Sequence, residues 1–294
     1  MKVGFIGCVK FSFTMLEHLL NSKDVEVVSI VTRGKASFNS DFKSLAPIAE
    51  KNKIPFLMAD GHSQCDIAAW FYQTMPDIIF CLGWSHLLDK SVLSSSKYGV
   101  IGYHPAPLPL GRGRHPLIWT LVLGLPETAS CFFMMDSGVD TGDIVSRVSI
   151  PVTGDDNAAS LMGKVTVSSK AQIDNIIKEL IEGRLATIPQ FHDKATNWRR
   201  RTQADGAIDW RMSSQTIHNL VRGLSRPYIG AHFMHQGQEI KVWSTVCYGS
   251  DEHHVEPGKV LNVEGKIVHV KCGVDSIMLL EHEIPKIPRV GDYI

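Results

Sequence analysis

Short apolar runs that do not alternate with polar residues recur through the first hundred residues, at Lys2–Ile6, Val25–Val31 and Asp77–Cys81. A strand with one face in water alternates. A strand without alternation is covered on both faces, as in a parallel sheet sandwiched between helices. Helix-like segments fall between these runs, at Thr14–Leu20, Ser44–Lys51 and Cys65–Tyr72. The order predicts an α/β fold with a doubly wound, Rossmann-like sheet. Gly99–Tyr103 reads as a further strand, His115–Leu123 as a helix, and Thr128–Met135 and Ile144–Ile150 as extended chain. Asn157–Glu182 is the longest helix pattern, with Asp155 or Asp156 to cap its start and Gly183 to end it.

The character changes at 198–206, WRRRTQADG, a polar and basic stretch that reads as a linker. One helix pattern follows, Ser213–Gly223, and then only strand signals: Ala231–His235, Glu239–Ser244, Gly258–Val263, Lys266–Lys271 and Ile277–Glu281. Such spacing predicts a small open-faced, OB-like β-barrel. The expected organisation is a domain over 1–197, a linker over 198–206 and a β domain over 207–294.

Charge and cysteines exclude some classes. The 294 residues carry 30 Lys+Arg against 30 Asp+Glu, which argues against a surface that grips nucleic acid everywhere, though not against a local basic groove. The six cysteines show no C-x-x-C and no zinc-ligand spacing, so they read as reduced thiols of a cytoplasmic protein without a metal. No apolar run approaches a membrane span, and MKVGFIGCV reads as a strand rather than a signal peptide.

Three stretches are candidates for chemistry. Gly4 and Gly7 follow the first strand but do not complete G-x-G-x-x-G, so they read as the turn into a helix rather than a dinucleotide site. Gly99–Gly113, GVIGYHPAPLPLGRG, holds three prolines, four glycines, His104 and Arg112 directly after a strand. Prolines fix φ and glycines allow positive φ, so this loop has a set shape where α/β sheets place ligands. Asp136–Asp143, DSGVDTGD, is by itself an acidic turn, or a carboxylate that orients a histidine; it lacks calcium-loop spacing.

Taken together, His104, the shaped loop and the GVDTGD turn 36 residues after the histidine resemble the 10-formyltetrahydrofolate-dependent formyltransferase family. MKVGFIG, PDIIFCLGWSHLL and DGAIDW…IHNLVRGLSRPYIGAH carry the likeness along the chain, and PGKVL…GKIVHVKCG extends it faintly into the last strands. The resemblance implies that His104 and Asp140 are catalytic. It implies that Trp84, Ser85, His86, Leu87 and Leu88, with Asp136 and Val139, bind the folate co-substrate, N10-formyltetrahydrofolate. The family's asparagine two residues before the histidine is replaced by Gly102, so its hydrogen bond falls to a backbone N–H, an ordered water or His104.

A formyl group then moves to a primary amine through an oxyanion, which needs a donor and a proton relay. Lys10, Gly102, Tyr103, Arg112, Arg114 and Arg199 are the expected acceptor-binding residues. The stretch Thr32–Asn52, where the family's tRNA enzymes resemble one another in a basic insertion, carries Arg33, Lys35, Lys43 and Lys51 diluted by Asp41 and Glu50. The first expectation is therefore a nucleotide-linked (UDP or dTDP) amino sugar. Methionyl-tRNA is the alternative, and a non-catalytic folate or sugar binder with Gly102 is a third. A homodimer is compatible with each.

Overall fold

A computed structural model describes residues 1–35, 41–249 and 253–294. By packing, the chain divides into two units. One is Met1–Pro116, Thr128–Ile150 and Gly163–Trp198, and the other is Leu117–Glu127, Pro151–Met162 and Arg199–Ile294.

The first unit runs β1 (Lys2–Ile6), α1 (Lys10–Leu20), β2 (Glu26–Thr32), α2 (Ala46–Lys51), β3 (Phe56–Met58), α3 (Gln64–Thr74), β4 (Ile78–Cys81), α4 (Lys90–Leu93), β5 (Val100–His104) and β6 (Arg112–Gly113). Next in the chain come α5 (Pro116–Val122), which falls in the second unit from Leu117 on, then β7 (Glu127–Met134), β8 (Ile144–Pro151), α6 (Ala158–Ile181), which falls in the first unit from Gly163 on, and β9 (Asn197–Trp198). The seven-stranded sheet has the order β3-β2-β1-β4-β5-β7-β8. Strands β3 to β5 in that order are parallel, as the unalternated runs predict, whereas β7 returns antiparallel to β5 with His104 opposite Cys131.

Strand alternation splits the apolar side chains between two cores. Val3, Phe5, Phe80 and Ile101 pack with Met15, Leu16 and Leu19 of α1 and with Ile173 and Ile176 of α6. Ile6, Ile79, Cys81 and Val100 pack with Ile67, Ala68 and Phe71 of α3. The helix α3 begins at a capping box, where Ser63 Oγ accepts from the Asp66 N–H and Asp66 accepts from the Ser63 N–H. Gly7 lets the first strand turn tightly: a Cβ there would lie 2.5 Å from Ser12 Cβ and 2.6 Å from the Leu82 carbonyl oxygen. The short β3 and α4 carry too few residues for a periodic signal and are absent from the sequence reading.

The second unit holds α7 (Ser214–Leu224) and a five-stranded antiparallel sheet. Its strands are β10 (Ala231–His235), β11 (Gln238–Tyr248), β12 (Val260–Glu264), β13 (Ile267–Lys271) and β14 (Ser276–His282), in the order β10-β11-β14-β13-β12. Gln236 (φ 50) and Gly237 (φ 78) form the two-residue turn of the first hairpin, where both positions need positive φ. Ile217, Leu220, Val221 and Leu224 of α7 cover Val242, Val268 and Leu279. The basic run at 199–201 is folded rather than loose. The guanidinium groups of Arg199 and Arg201 lie 5.5 and 4.7 Å from the centre of the Trp119 ring, and Arg199 pairs with Asp205. No helix among the described residues is long and apolar enough to cross a membrane.

Candidate active site

The loops after β1, β4 and β5 leave the carboxyl ends of adjacent parallel strands. That is where this kind of sheet opens a crevice. His104 is the last residue of β5 and is 5% exposed. Its Nε2 lies 2.7 Å from the Gly111 carbonyl oxygen, and its Nδ1 lies 3.5 Å from Asp140 Oδ2. A carbonyl oxygen only accepts, so Nε2 carries a proton. Asp140 sits in the turn after β7 at φ 54, in the left-handed region, and its Oδ2 also accepts from the Gly113 N–H at 2.9 Å. The two predicted catalytic residues, far apart in sequence, therefore meet through a loop that holds each by a backbone atom.

The turn itself is built by its first aspartate. Asp136 Oδ1 accepts from the Gly138 N–H at 3.0 Å and from Thr141 Oγ1 at 2.5 Å, which is the Asx-type arrangement such sequences favour. Asp136 thus shapes the turn, while Val139 stands half-exposed at its tip.

The loop after β4 lies on the other side of Arg114, whose guanidinium donates to the Ser85 carbonyl at 2.8 Å. Leu88 is buried, and Leu87 is exposed with its carbonyl accepting from Gln64. Trp84 Nε1 is buried and has no hydrogen-bond partner among the described residues. His86 Nε2 lies 2.5 Å from Arg33 Nη1 and its ring sits edge-on to Trp84. Burial, then the Arg33 and Arg114 cations, lower the His86 pKa, so its neutral ring serves as acceptor for Arg33. Asp60 in turn binds the Gly34 N–H and Arg33, and these contacts hold its carboxyl below the usual range.

Three expected acceptor residues are placed differently. Tyr103 points the opposite way from Gly102 and His104, because successive strand residues alternate faces. Its ring stacks on Phe11 at 4.5 Å and against Phe132, and burial pushes its hydroxyl up to about 12. It belongs to the core. Arg112 is 6% exposed and turned inward onto Gln190 and His192. Arg199 lies in the second unit with Asp205 as its partner. Lys10, also expected at the acceptor, is exposed at the head of α1, where its N–H donates to the Asp41 carbonyl at 2.9 Å. The residues 36–40, within the stretch considered for a basic insertion, lie outside the described residues.

Gly102 has no space for a side chain. A Cβ there would lie 2.8 Å from Met135 Cγ and 2.9 Å from Phe133 Cζ. Restoring the family's asparagine as Gly102→Asn is therefore expected to destabilise the fold by about 1–3 kcal/mol through overpacking. The second change Met135→Ala should recover part of that loss. Thermal unfolding of the single and double variants tests this, and an unchanged melting point for Gly102→Asn would refute the packing account. Gln190 and His192 carry no pattern that singles them out in sequence, and only the fold shows that they reach Arg112.

Residues 2–177 match the formyl transferase family and residues 200–289 match the formyl transferase C-terminal domain. The methionyl-tRNA formyltransferase of Acetivibrio thermocellus is 28% identical over 300 residues, covering 100% of this chain and 96% of its own. Five further relatives of the same name are 26–29% identical over nearly the full chain. An N-formyltransferase from Helicobacter canadensis, solved with folinic acid and dTDP-3-aminofucose, superposes with a TM-score of 0.71 at 16% identity, covering 95% of this chain and 98% of that one. HypX from Aquifex aeolicus gives 0.68 at 18% identity over 97% of this chain and 45% of its own. At such identities the structural likeness speaks of the fold alone. The expectation of a nucleotide-linked amino sugar is overturned, because the full-length sequence likeness runs instead to the methionyl-tRNA enzymes. The dilution of Arg33, Lys35, Lys43 and Lys51 by Asp41 and Glu50 misled here, since the charge balance of one short stretch does not decide which acceptor a whole chain takes.

Proposed function

The chain belongs to the formyl transferase family, and we propose that it transfers the formyl group of N10-formyltetrahydrofolate to the amine of methionyl-tRNA. The observation that carries the chemistry is the buried His104 beside Asp140, at 3.5 Å. The acceptor rests on the full-length likeness to methionyl-tRNA formyltransferases.

In this reading the neutral amine attacks the formyl carbon, and the carbonyl oxygen takes the negative charge. The Nε2–H of His104 exchanges the Gly111 carbonyl for that oxygen, and Asp140 balances the charge at Nδ1. With no side chain at Gly102, the imidazole is the donor on this strand. The C–N10 bond then breaks, N10 takes up the proton that the attacking amine sheds, and the products are the formamide and tetrahydrofolate. Trp84, Leu87 and Val139 hold the folate ring, and Arg33 and Arg114 steady the loop around it. Buried, unpaired thiols such as Cys8 and Cys81 suit a reducing, cytoplasmic setting.

The test is transfer of a radiolabelled formyl group to methionyl-tRNA, with deacylated tRNA and free methionine as controls. Labelled formylmethionyl-tRNA should accumulate over many turnovers, with neither control labelled, and the rate at limiting tRNA should fall steeply with salt. A protein that binds the formyl-folate yet leaves methionyl-tRNA unlabelled would remove this acceptor.

A further inference from the structure

We infer that Gln190 is a positioning residue for formyl transfer: its side-chain amide ties the Asp140 turn to the Arg112 loop and so keeps Asp140 against His104. The inference rests on reading His104 and Asp140 as the reacting pair. Gln190 is 5% exposed. Its Nε2 donates to the carbonyl oxygens of Asp140 at 3.0 Å and Gly142 at 2.6 Å. Its Oε1 accepts from Arg112 Nε at 3.2 Å and Nη2 at 2.6 Å. Both ends of the amide are thus in use, in a site where an unmet polar group is costly.

The chemistry of that set is selective. Two carbonyls call for two donors, and a guanidinium calls for an acceptor. A primary amide offers both, whereas a carboxylate would face the carbonyls with oxygen and an aliphatic chain would offer nothing. The three residues of the opposing loop then divide the work. Gly111 takes His104 Nε2 on its carbonyl, Arg112 binds Gln190, and Gly113 donates its N–H to Asp140 Oδ2. The backbone of that loop is itself pinned, with Arg112 N–H donating to the Thr196 carbonyl at 2.9 Å. Asp140 is therefore held twice from one loop, by its carboxylate through Gly113 and by its main chain through Gln190. It needs such restraint, because φ 54 is a conformation that a non-glycine residue rarely adopts.

Two substitutions separate this role from general packing. Gln190→Met removes every hydrogen bond at similar volume. Gln190→Glu keeps an acceptor for Arg112, and so an anchor for folding, but loses both donors to the turn. Each is measured by amide exchange at Gly113 and by steady-state transfer, alone and combined with Asp140→Asn. The expected result is exchange at Gly113 faster by roughly tenfold in both variants. Turnover should fall by about 10–100-fold, with KM for the formyl-folate within about threefold. In the Asp140→Asn background either change should add little, since it acts through a group already lost. Unchanged exchange at Gly113, or losses that multiply in full on Asp140→Asn, would overturn the inference. Normal transfer by Asp140→Asn alone would instead overturn the pair, while the exchange at Gly113 still reads the clamp.

Discussion

His104→Ala is expected to lower formyl transfer by between about a hundredfold and a thousandfold, the span usual for a lost oxyanion donor, while the protein still folds. The side chain is the last on β5 and its direct partners are one carbonyl and one carboxylate. Removing it forfeits about 1 kcal/mol of hydrogen bonding and opens a small space at the carboxyl end of an interior strand. That is modest beside a total stability of roughly 5–15 kcal/mol. Folding and transfer should therefore separate in this variant. Circular dichroism and thermal unfolding should stay close to the parent, and the binding of formyl-folate, which the proposal assigns to the Trp84 loop and the 136–140 turn, should weaken little. Loss of kcat with KM retained is the signature of an interaction made in the transition state. Turnover near that of the parent would end the assignment of His104, and with it the mechanism above.

The loop of His104 and the turn of Asp140 stand out in the sequence by composition, but each alone reads as an ordinary loop or acidic turn, and it is the family resemblance that pairs them. Proline and glycine crowd the loop after one strand, and aspartate and glycine crowd the turn after another. The parallel core was legible for a similar reason, since apolar runs such as Ile78–Cys81 have no polar residue on either face to place in water. What could not be read is what depends on direction and on distant partners. Tyr103 sits between two site residues and looks like a third, yet strand alternation turns it into the core against Phe11. That period of two was available from the sequence and would have excluded it. Arg112 looks like an exposed anion binder until the fold brings Gln190 to it from 78 positions away. Nothing local to Gln190 announces that. Gly102 is a different case: its meaning lies in Met135 and Phe133, one of which is paired opposite it on β7.

The turn that carries Asp140 should be the least tolerant part of the site. Gly142→Ala is expected to destabilise the fold by about 3 kcal/mol or more and to cut transfer more than about a hundredfold. The reason is backbone against backbone. A Cβ at Gly142 would lie 1.7 Å from the Met134 carbonyl oxygen. No rotamer change relieves that contact, because the Met134 N–H is itself bonded to the Asp143 carbonyl at 2.8 Å across the same turn. The chain must spread. Spreading pulls the Gly142 carbonyl from Gln190, to which it now accepts at 2.6 Å, and carries Asp140 away from the Gly113 N–H. Gly154→Ala is the matched control, since a Cβ there meets nothing within 4 Å. It should leave stability within about 0.5 kcal/mol. Calorimetry of the pair should show a drop of roughly 6–12 °C for Gly142→Ala and almost none for Gly154→Ala. A Gly142→Ala protein that melts and transfers like its parent would mean that the turn relaxes freely, and that neither Gln190 nor Gly113 sets where Asp140 stands.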